Sequence, residues 1–365
     1  MIKKKIFFIP IIFFAIGLYS SETINYAISD KHAFLLPKHK ATLIFEYQKL
    51  NDTLDIFNIK AQELGSLSSY GSIGDMSGYN LEGRYSVSDT LMGSLKLGKE
   101  DVAYGSGALY NETIDGYMRY QLTNSSLSFV NATSLDIGYV LNRASTMSYD
   151  DPKFLEPLAT KVLDVKKTVI SQNSDGTYTI GVLKKDGTTN LLSNLKQKPT
   201  LYIDGMRDDS LYIRAIAEKR INPRFYISAF AKFSRTKIKT LVTANSELIA
   251  EAKKQNYDIV QTLDRYESSI SAGWNISLNF DKLAWELTYT YSKIFRDSSL
   301  GYIDYNHIID ATVAKPIGKH WIVYMGAKLM YRQFNAEIPY LYNKYTQTTF
   351  DHKYGYARFG VEYRF

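Results

Sequence analysis

From Ala41 to the C-terminus, the chain consists of segments in which apolar or aromatic positions alternate with polar or small ones. In the stretch 283–292, for example, Leu, Trp, Leu, Tyr and Tyr occupy the odd positions, and Ala, Glu, Thr, Thr and Ser the even ones. A period of two is that of a β-strand with one apolar face, not that of a helix. The pattern predicts strands at 41–50, 79–87, 91–98, 112–121, 127–142, 210–219, 224–235, 266–277, 283–292, 303–314, 320–333 and 353–365.

The connections between these twelve segments alternate in length. Long connections follow the odd-numbered segments, the longest being 143–209, and turns of about three to six residues follow the even-numbered ones. One tight rim, one elaborated rim and an even strand number are typical of an outer-membrane barrel. We therefore predict an all-β fold: a transmembrane, antiparallel, up-and-down β-barrel of about 12 strands over residues 41–365, with short periplasmic turns and long extracellular loops.

A soluble β-sandwich is the main alternative for a period-two pattern. It would not require aromatic residues near the strand ends on the apolar parity, where a membrane barrel places its interfacial girdle. Such residues are Tyr79, Tyr85, Tyr120, Tyr139, Trp274, Trp285, Tyr291, Trp321, Tyr331 and Tyr363. Their positions favour the membrane barrel.

The longest connection, 143–209, is predicted to carry a β-hairpin, because residues 177–183 lie between two Asp-Gly turn signals. Three roles stay open for it: a constriction folded into the lumen, a surface lid or partner-binding loop, or further wall strands that would bring the total to 14. In the following long connection, Asn245 or Ser246 precedes a helix-forming run to Lys254, which predicts one surface helix.

The N-terminus has the features of an export signal. Three lysines at positions 3–5 precede an apolar run from Ile6 to Leu18 and the small residues Ser20 and Ser21. This run is shorter than the roughly 20 residues that a membrane anchor needs. We predict a cleaved signal peptide at 1–20, followed by a segment, 21–40, that either stays in the periplasm or enters the lumen as a small plug.

Composition excludes several kinds of site. The 365 residues include no cysteine and only five histidines, so thiol chemistry, disulfides and Cys-ligated metals are excluded, and imidazole metal sites are not expected. Without the three lysines of the signal peptide, the net charge falls from +7 to +4, which is too mild to indicate nucleic acid binding. We predict no metal, no cofactor and no nucleic acid partner, and the sequence does not indicate an oligomeric state.

The last strand resembles the C-terminal assembly signal of Gram-negative outer-membrane β-barrel proteins. Those proteins end in Phe, with apolar or aromatic residues at every second position before it, and Phe365, Tyr363, Val361 and Phe359 match this pattern. The resemblance implies an outer-membrane location, contact with its lipid, and recognition by the barrel assembly machinery. It does not identify a transport family.

If the apolar positions of each strand face lipid, the positions that alternate with them line the lumen. The candidate lumen-lining residues are Glu46, Glu82, Arg84, Lys96, Asp115, Arg119, Arg214, Glu218, Lys232, Glu286, Lys328, Arg332, Arg358 and Glu362. Together with Asp136, Glu267, Asp310 and Arg364 they make nine acids and nine bases. Twelve strands are more than the eight whose interior side chains alone fill, and fewer than the 16 to 18 of open porins.

The leading functional hypothesis is a porin-like channel for the passive passage of small polar solutes through this charged lumen. The alternative is a closed structural or adhesin-like barrel that acts through its extracellular loops. A third possibility is an outer-membrane lipase or protease. For this, the sequence offers only His307, near Asp304 and Asp310 but on the lipid-facing parity, so no catalytic residue and no enzyme activity are predicted.

Overall fold

The computed structural model describes residues 29–50, 76–103, 107–124, 130–280, 282–296, 303–346 and 352–365. The predicted signal peptide, 1–20, and the first part of the predicted N-terminal segment, 21–28, lie outside the described residues. Neither of the two α-helices in these ranges has the length and apolarity of a membrane-spanning helix.

Twelve antiparallel strands form a closed barrel, which confirms the predicted number and topology. Each wall strand pairs with the next wall strand along the chain, and the last closes the ring on the first, from Thr42 opposite Arg364 to Lys49 opposite Ala357. The wall strands are β1 (Ala41–Leu50), β2 (Met76–Ser86), β3 (Leu91–Ala103), β4 (Ala108–Asn124), β5 (Ala132–Ala144), β10 (Leu201–Asn222), β11 (Phe225–Ala244), β13 (Arg265–Asn279), β14 (Ala284–Phe295), β15 (Tyr305–Ile317), β16 (Trp321–Met330) and β17 (Tyr354–Arg364). The short strands β6 (Met147–Tyr149) and β12 (Gln261–Thr262) extend the sheet at the rim that carries the long connections.

The outer surface of the wall is apolar and the inner surface is polar, as a barrel in a bilayer requires. On β1 and β4, Phe45 and Met118 are exposed, whereas their neighbours Glu46 and Arg119 are buried in the interior. Most of the predicted girdle residues, among them Trp285 and Trp321, are also exposed. The alternation therefore reflects a lipid-facing and a lumen-facing side.

Several strands continue beyond their predicted ends at the long-loop rim. β11 was expected to stop at 235 but runs to Ala244. In this extension the outward positions Lys237 and Lys239 are charged, and the inward positions Ile238 and Val242 are fully buried. The apolar side of the strand thus faces inward in this extension, and a pattern of outward apolar positions predicts a strand that ends too early.

The connection 145–200 forms a small domain at this rim. The hairpin expected there is a three-stranded sheet of β7 (Lys167–Gln172), β8 (Tyr178–Leu183) and β9 (Thr189–Leu195), separate from the wall, so the alternative of 14 wall strands is wrong. The third strand is explained by burial, because Leu192 and Leu195 pack in one core with helix α1 (Pro152–Val162). The predicted surface helix is confirmed as α2 (Ser246–Lys254), capped by the Asn245 side chain.

Candidate functional site

Residues 29–40, here called the N-terminal segment, run along the inside of the barrel to the start of β1. Arg119 of β4 donates to the carbonyl oxygens of Asp30 and His32, at 2.7 and 2.5 Å. The Asp30 carboxylate accepts from Arg214 of β10 at 2.5 Å. Burial raises the pKa of Asp30, but the charges of Arg214 and Lys31 outweigh it and hold that pKa well below its usual range. The segment is therefore bound to the wall by charged groups.

His32 is clamped between two buried carboxylates on different strands. Its Nδ1 lies 3.2 Å from Glu218 of β10, and its Nε2 lies 3.2 Å from Glu286 of β14. Glu218 also accepts from the backbone N–H of Ala33 at 2.7 Å. Burial lowers the pKa of His32, but the two carboxylates outweigh burial and raise this pKa to about 10. His32 is thus an imidazolium at neutral pH, with both N–H groups directed at carboxylates.

We expect the attachment of His32 to weaken as the pH rises from 6.5 towards about 10. A pKa raised in the docked state stabilises that state fully below the undocked pKa, and the contribution is lost as pH passes through the docked pKa. Lys31 acts in the opposite direction, because burial lowers the pKa of its ammonium to about 8. The measurement is the free energy of unfolding of wild type minus that of His32→Gln, from pH 6 to pH 10. This difference should shrink with rising pH, and a constant difference would contradict the assignment.

A second segment, here called the roof loop (residues 331–346), folds into the barrel at the long-loop rim. Its Tyr340 and Tyr342 side chains are completely buried, and it includes a short 3-10 helix, Pro339–Leu341. Side chains of five strands bind it: Asn111 of β4, Asn142 of β5, Arg265 of β13, Asn306 of β15 and Lys328 of β16. Because these contacts surround the lumen, the roof loop covers one end of it.

Between the N-terminal segment and the roof loop lies a cavity of about 390 Å³, here called the chamber. Ser29, Asp30 and Lys31 form its floor, and Phe334 and residues 336–339 contribute to its roof. Ten of the fourteen predicted lumen residues line it: Glu46, Glu82, Arg84, Lys96, Asp115, Arg214, Lys232, Glu286, Lys328 and Arg358. No residue of 145–200 does, so the inward-folding connection is the roof loop and not the longest one.

Four predicted lumen residues lie elsewhere. Arg119 and Glu218 are buried against the N-terminal segment, and Glu362 is buried near the end of β17, where it accepts from Arg364 at 2.6 Å. The placement of Arg332 on a wall strand is wrong, because β16 ends at Met330. The Asn306 side chain bonds the backbone N–H and carbonyl of Arg332 and so starts the roof loop there, while the Arg332 guanidinium lies over the Tyr331 ring.

The sequence reasoning missed chamber residues of two kinds. Glu100 lies an even number of positions after Lys96 and therefore on the same face of the strand. The predicted strand ended at 98, and a longer one would have included Glu100 among the lumen residues. By contrast, Glu337, Asp30 and Lys31 belong to the roof loop and the N-terminal segment, which show no strand periodicity. No local signal in the sequence places them at the lumen.

Two inward tyrosines lie flat against the wall over glycines. A Cβ at Gly138 would be 2.3 Å from the Tyr212 ring, and a Cβ at Gly360 would be 2.2 Å from the Tyr324 ring. Glycine at these positions lets each ring cross the neighbouring strand. The Tyr212 hydroxyl thereby reaches Asp115 at 3.2 Å.

His307, the residue on which the catalytic alternative rests, does not lie beside Asp310. His307 lies on the outer face among tyrosines, with its Nδ1 2.8 Å from the Tyr289 hydroxyl. Asp310, on the same strand, lies on the inner face and accepts from Arg358 at 2.5 Å. Within the described ranges, no three His, Asp or Glu side chains are grouped closely enough to hold a metal ion.

The residues of the C-terminal pattern share the outer face of β17 and its end. Phe359 and Phe365 are exposed, and the Tyr363 ring packs edge-on against Trp321 and Phe365, with ring centroids 4.6 and 4.7 Å apart. Val361 is partly exposed on the same face. The side chains of the C-terminal pattern therefore face outward, away from the lumen.

No protein-family model matches the chain, and no curated protein matches its sequence. Its structure is similar to the translocator domain of the autotransporter NalP from Neisseria meningitidis, with 8% identity and a TM-score of 0.48, over 89% of this chain and 88% of that one. It is also similar to the β domain of the Bordetella autotransporter Brka, with 8% identity and a TM-score of 0.43, over 89% and 98% of the two chains. The NanC porin matches with 7% identity and a TM-score of 0.42, over 88% and 98%. These likenesses concern overall shape alone.

Proposed function

We propose that this protein is an outer-membrane channel for the passive passage of small polar solutes, closed at rest by the N-terminal segment and the roof loop. The observation that carries the proposal is the chamber, a cavity of about 390 Å³ inside the barrel and lined by charged and hydroxyl side chains. Cavities of this size are typical of sites for small molecules.

The two closing segments support a channel that opens. Neither is a strand of the wall, and the wall's backbone hydrogen bonds join each wall strand to its two neighbours without them. The N-terminal segment is held mainly by side-chain contacts, such as those of Asp30 and His32. It can therefore leave the lumen while the barrel stays closed as a ring.

The proposed location follows from the lipid-facing outer surface together with the predicted export signal at 1–20. The aromatic residues of β17 are proposed to be read by the barrel assembly machinery, since Phe359 and Phe365 remain accessible on the outer face. Outer-membrane lipid is then the medium that this surface contacts.

The channel is tested by single-channel recording of the refolded chain in a planar bilayer. We expect reproducible conductance steps, and in Lys232→Glu a reversal potential shifted towards cation selectivity, because a chamber-lining cation becomes an anion. The matched control is Lys237→Glu on the same strand, whose side chain faces outward and should leave selectivity unchanged. A folded protein that never conducts, or an equal shift in both variants, would refute the channel.

A second candidate is a surface-interaction barrel that acts through its extracellular loops. The observation that favours it is the three-stranded sheet β7–β9 with α1, which is separate from the wall sheet and packs on the rim through buried residues such as Leu155 and Val182. In that case, deleting residues 166–195 should abolish partner binding or adhesion while the conductance of the barrel, if any, stays unchanged.

A further inference from the structure

Most charged side chains of the chamber are in direct contact with an opposite charge. Arg358 contacts Glu46 and Asp310, and Arg84 contacts Glu82. The other pairs are Arg214 with Asp30, Lys31 with Asp30, Lys328 with Glu337, Glu267 with Arg265, and Glu286 with His32. Such pairs neutralise one another and have little capacity left for a solute.

Two lysines are exceptions. Lys96 on β3 and Lys232 on β11 line the chamber, and neither makes a hydrogen bond or salt bridge with any residue that the structure describes. The Lys232 ammonium lies 4.0 Å from the centroid of the Tyr212 ring, a cation–π contact that leaves its N–H groups without an acceptor. Asp115 is the cross-strand partner of Lys96, yet neither ammonium makes a direct contact with a carboxylate among the described residues.

Two carboxylates of the chamber likewise have no salt bridge among the described residues. Asp115 accepts from the Tyr212 hydroxyl at 3.2 Å, and Glu100 accepts from the amides of Gln48 and Asn111 at 3.1 and 3.3 Å. All these donors are neutral, and an ionised carboxylate has room for about four hydrogen bonds. Both carboxylates can thus accept from a further, positively charged donor.

Another part of the chamber wall carries hydroxyl groups. Ser234 bonds Ser269 at 2.6 Å, and Ser271 bonds Ser292 at 2.8 Å, while Thr290 also lines the cavity. Hydroxyl groups both donate and accept, so this wall can bind the N–H and C=O groups of a peptide bond without adding charge.

We propose that the chamber binds a small zwitterionic solute, an amino acid or short peptide with a free ammonium and a free carboxylate. Lys96 and Lys232 would bind the carboxylate, and Asp115 and Glu100 the ammonium. The two lysines and the two carboxylates balance in charge, and Lys96 lies across the strands from Asp115, so a solute with one net charge would add an uncompensated charge to the chamber. The inference rests on the proposed function and specifies its substrate class.

The test is calorimetric titration of the refolded full chain in detergent micelles with the dipeptide Ser-Ser. The matched probes are N-acetyl-Ser-Ser, which lacks the ammonium, and Ser-Ser-amide, which lacks the carboxylate. Because each capped end loses charge-assisted hydrogen bonds, we expect Ser-Ser to bind at least about tenfold more tightly than either capped form. Equal affinity for all three would overturn the proposal.

Variants assign the two ends of the solute. Lys232→Gln should weaken Ser-Ser by about tenfold but leave Ser-Ser-amide unchanged, and Asp115→Asn should weaken Ser-Ser similarly but leave N-acetyl-Ser-Ser unchanged. The outward-facing controls Lys237→Gln and Asp101→Asn should change none of these affinities. Equal losses for capped and free peptides would show a structural effect and overturn the assignment.

Because the N-terminal segment forms the floor of the chamber, each titration is repeated in the double variant D30N/H32A, in which we expect this segment to leave the lumen. No binding in either background would refute the zwitterion site. Conductance without this selectivity would refute the site but keep the channel. Selective binding without conductance would keep the site and refute the channel.

Discussion

Replacing Asp30 with Asn and His32 with Ala together should raise the single-channel conductance of the reconstituted protein severalfold. Asp30 and His32 supply the charged contacts of the N-terminal segment, to Arg214 at 2.5 Å and to Glu218 and Glu286 at 3.2 Å each. Without these charges the segment keeps its backbone hydrogen bonds and the packing of residues 33–36 against the wall, and we expect this to be too little to hold it in the lumen. Conductance then rises because one of the two obstructions in the pore is gone.

The control for this experiment is Lys38→Gln, in the same segment. Lys38 is exposed, so its loss should leave the conductance at the wild-type value. Heat-modifiable migration on gels verifies that each variant forms a barrel. If the double variant folds and conducts no better than Lys38→Gln, then the N-terminal segment does not close the channel.

Replacing Asp136 with Ala should destabilise the barrel by about 3–5 kcal/mol. Asp136 is completely buried and accepts from Arg119 at 2.6 Å and from Arg214 at 2.7 Å. Its removal leaves two buried guanidinium groups without the carboxylate that they share. Losing one partner of a buried ionic cluster costs far more than losing a surface pair, because the remaining charges stay out of water. The measurement is the free energy of unfolding in urea, in lipid vesicles.

A surface ion pair provides the comparison. Asp209 binds Arg207 at 2.7 Å, and the Arg207 side chain is 39% exposed. Asp209→Ala should therefore cost less than about 1 kcal/mol. Should Asp136→Ala fail to fold, the isosteric Asp136→Asn takes its place and should still cost more than Asp209→Ala. Equal costs would mean that the buried cluster does not stabilise the barrel.

The charged residues of the lumen are not equivalent, because some form salt bridges and others do not. Arg358 forms salt bridges with Glu46 and Asp310, whereas Lys232 lines the cavity and has no carboxylate within salt-bridge distance among the described residues. Both lie at positions that the alternation predicts to face the lumen, so the sequence pattern does not distinguish them. Only the pairing separates residues that hold the barrel together from residues available to a solute.

The strand number, the closed antiparallel topology and the polarity of each wall face were predictable from the chain. A strand between lipid and an aqueous lumen must alternate in polarity, because successive side chains face opposite sides of the wall. The polarity of a short stretch of sequence is therefore enough to predict a strand and its two faces. The segment 283–292 shows this, since its apolar positions include exposed Trp285 and its polar positions include buried Glu286. No knowledge of the partner strand is needed to recognise it.

The ends of the lumen were not predictable in this way. Ser29 binds Glu286, 257 positions away, and Tyr340 binds Asn111, 229 positions away. Neither the N-terminal segment nor the roof loop has a periodicity that such contacts would leave in the sequence. The sequence alone was enough to predict the wall, because the polarity of each strand position depends on whether it faces lipid or the lumen. The tertiary structure sets the floor, the roof and which chamber charges stay without a salt bridge, because these depend on contacts between residues that are distant in the sequence.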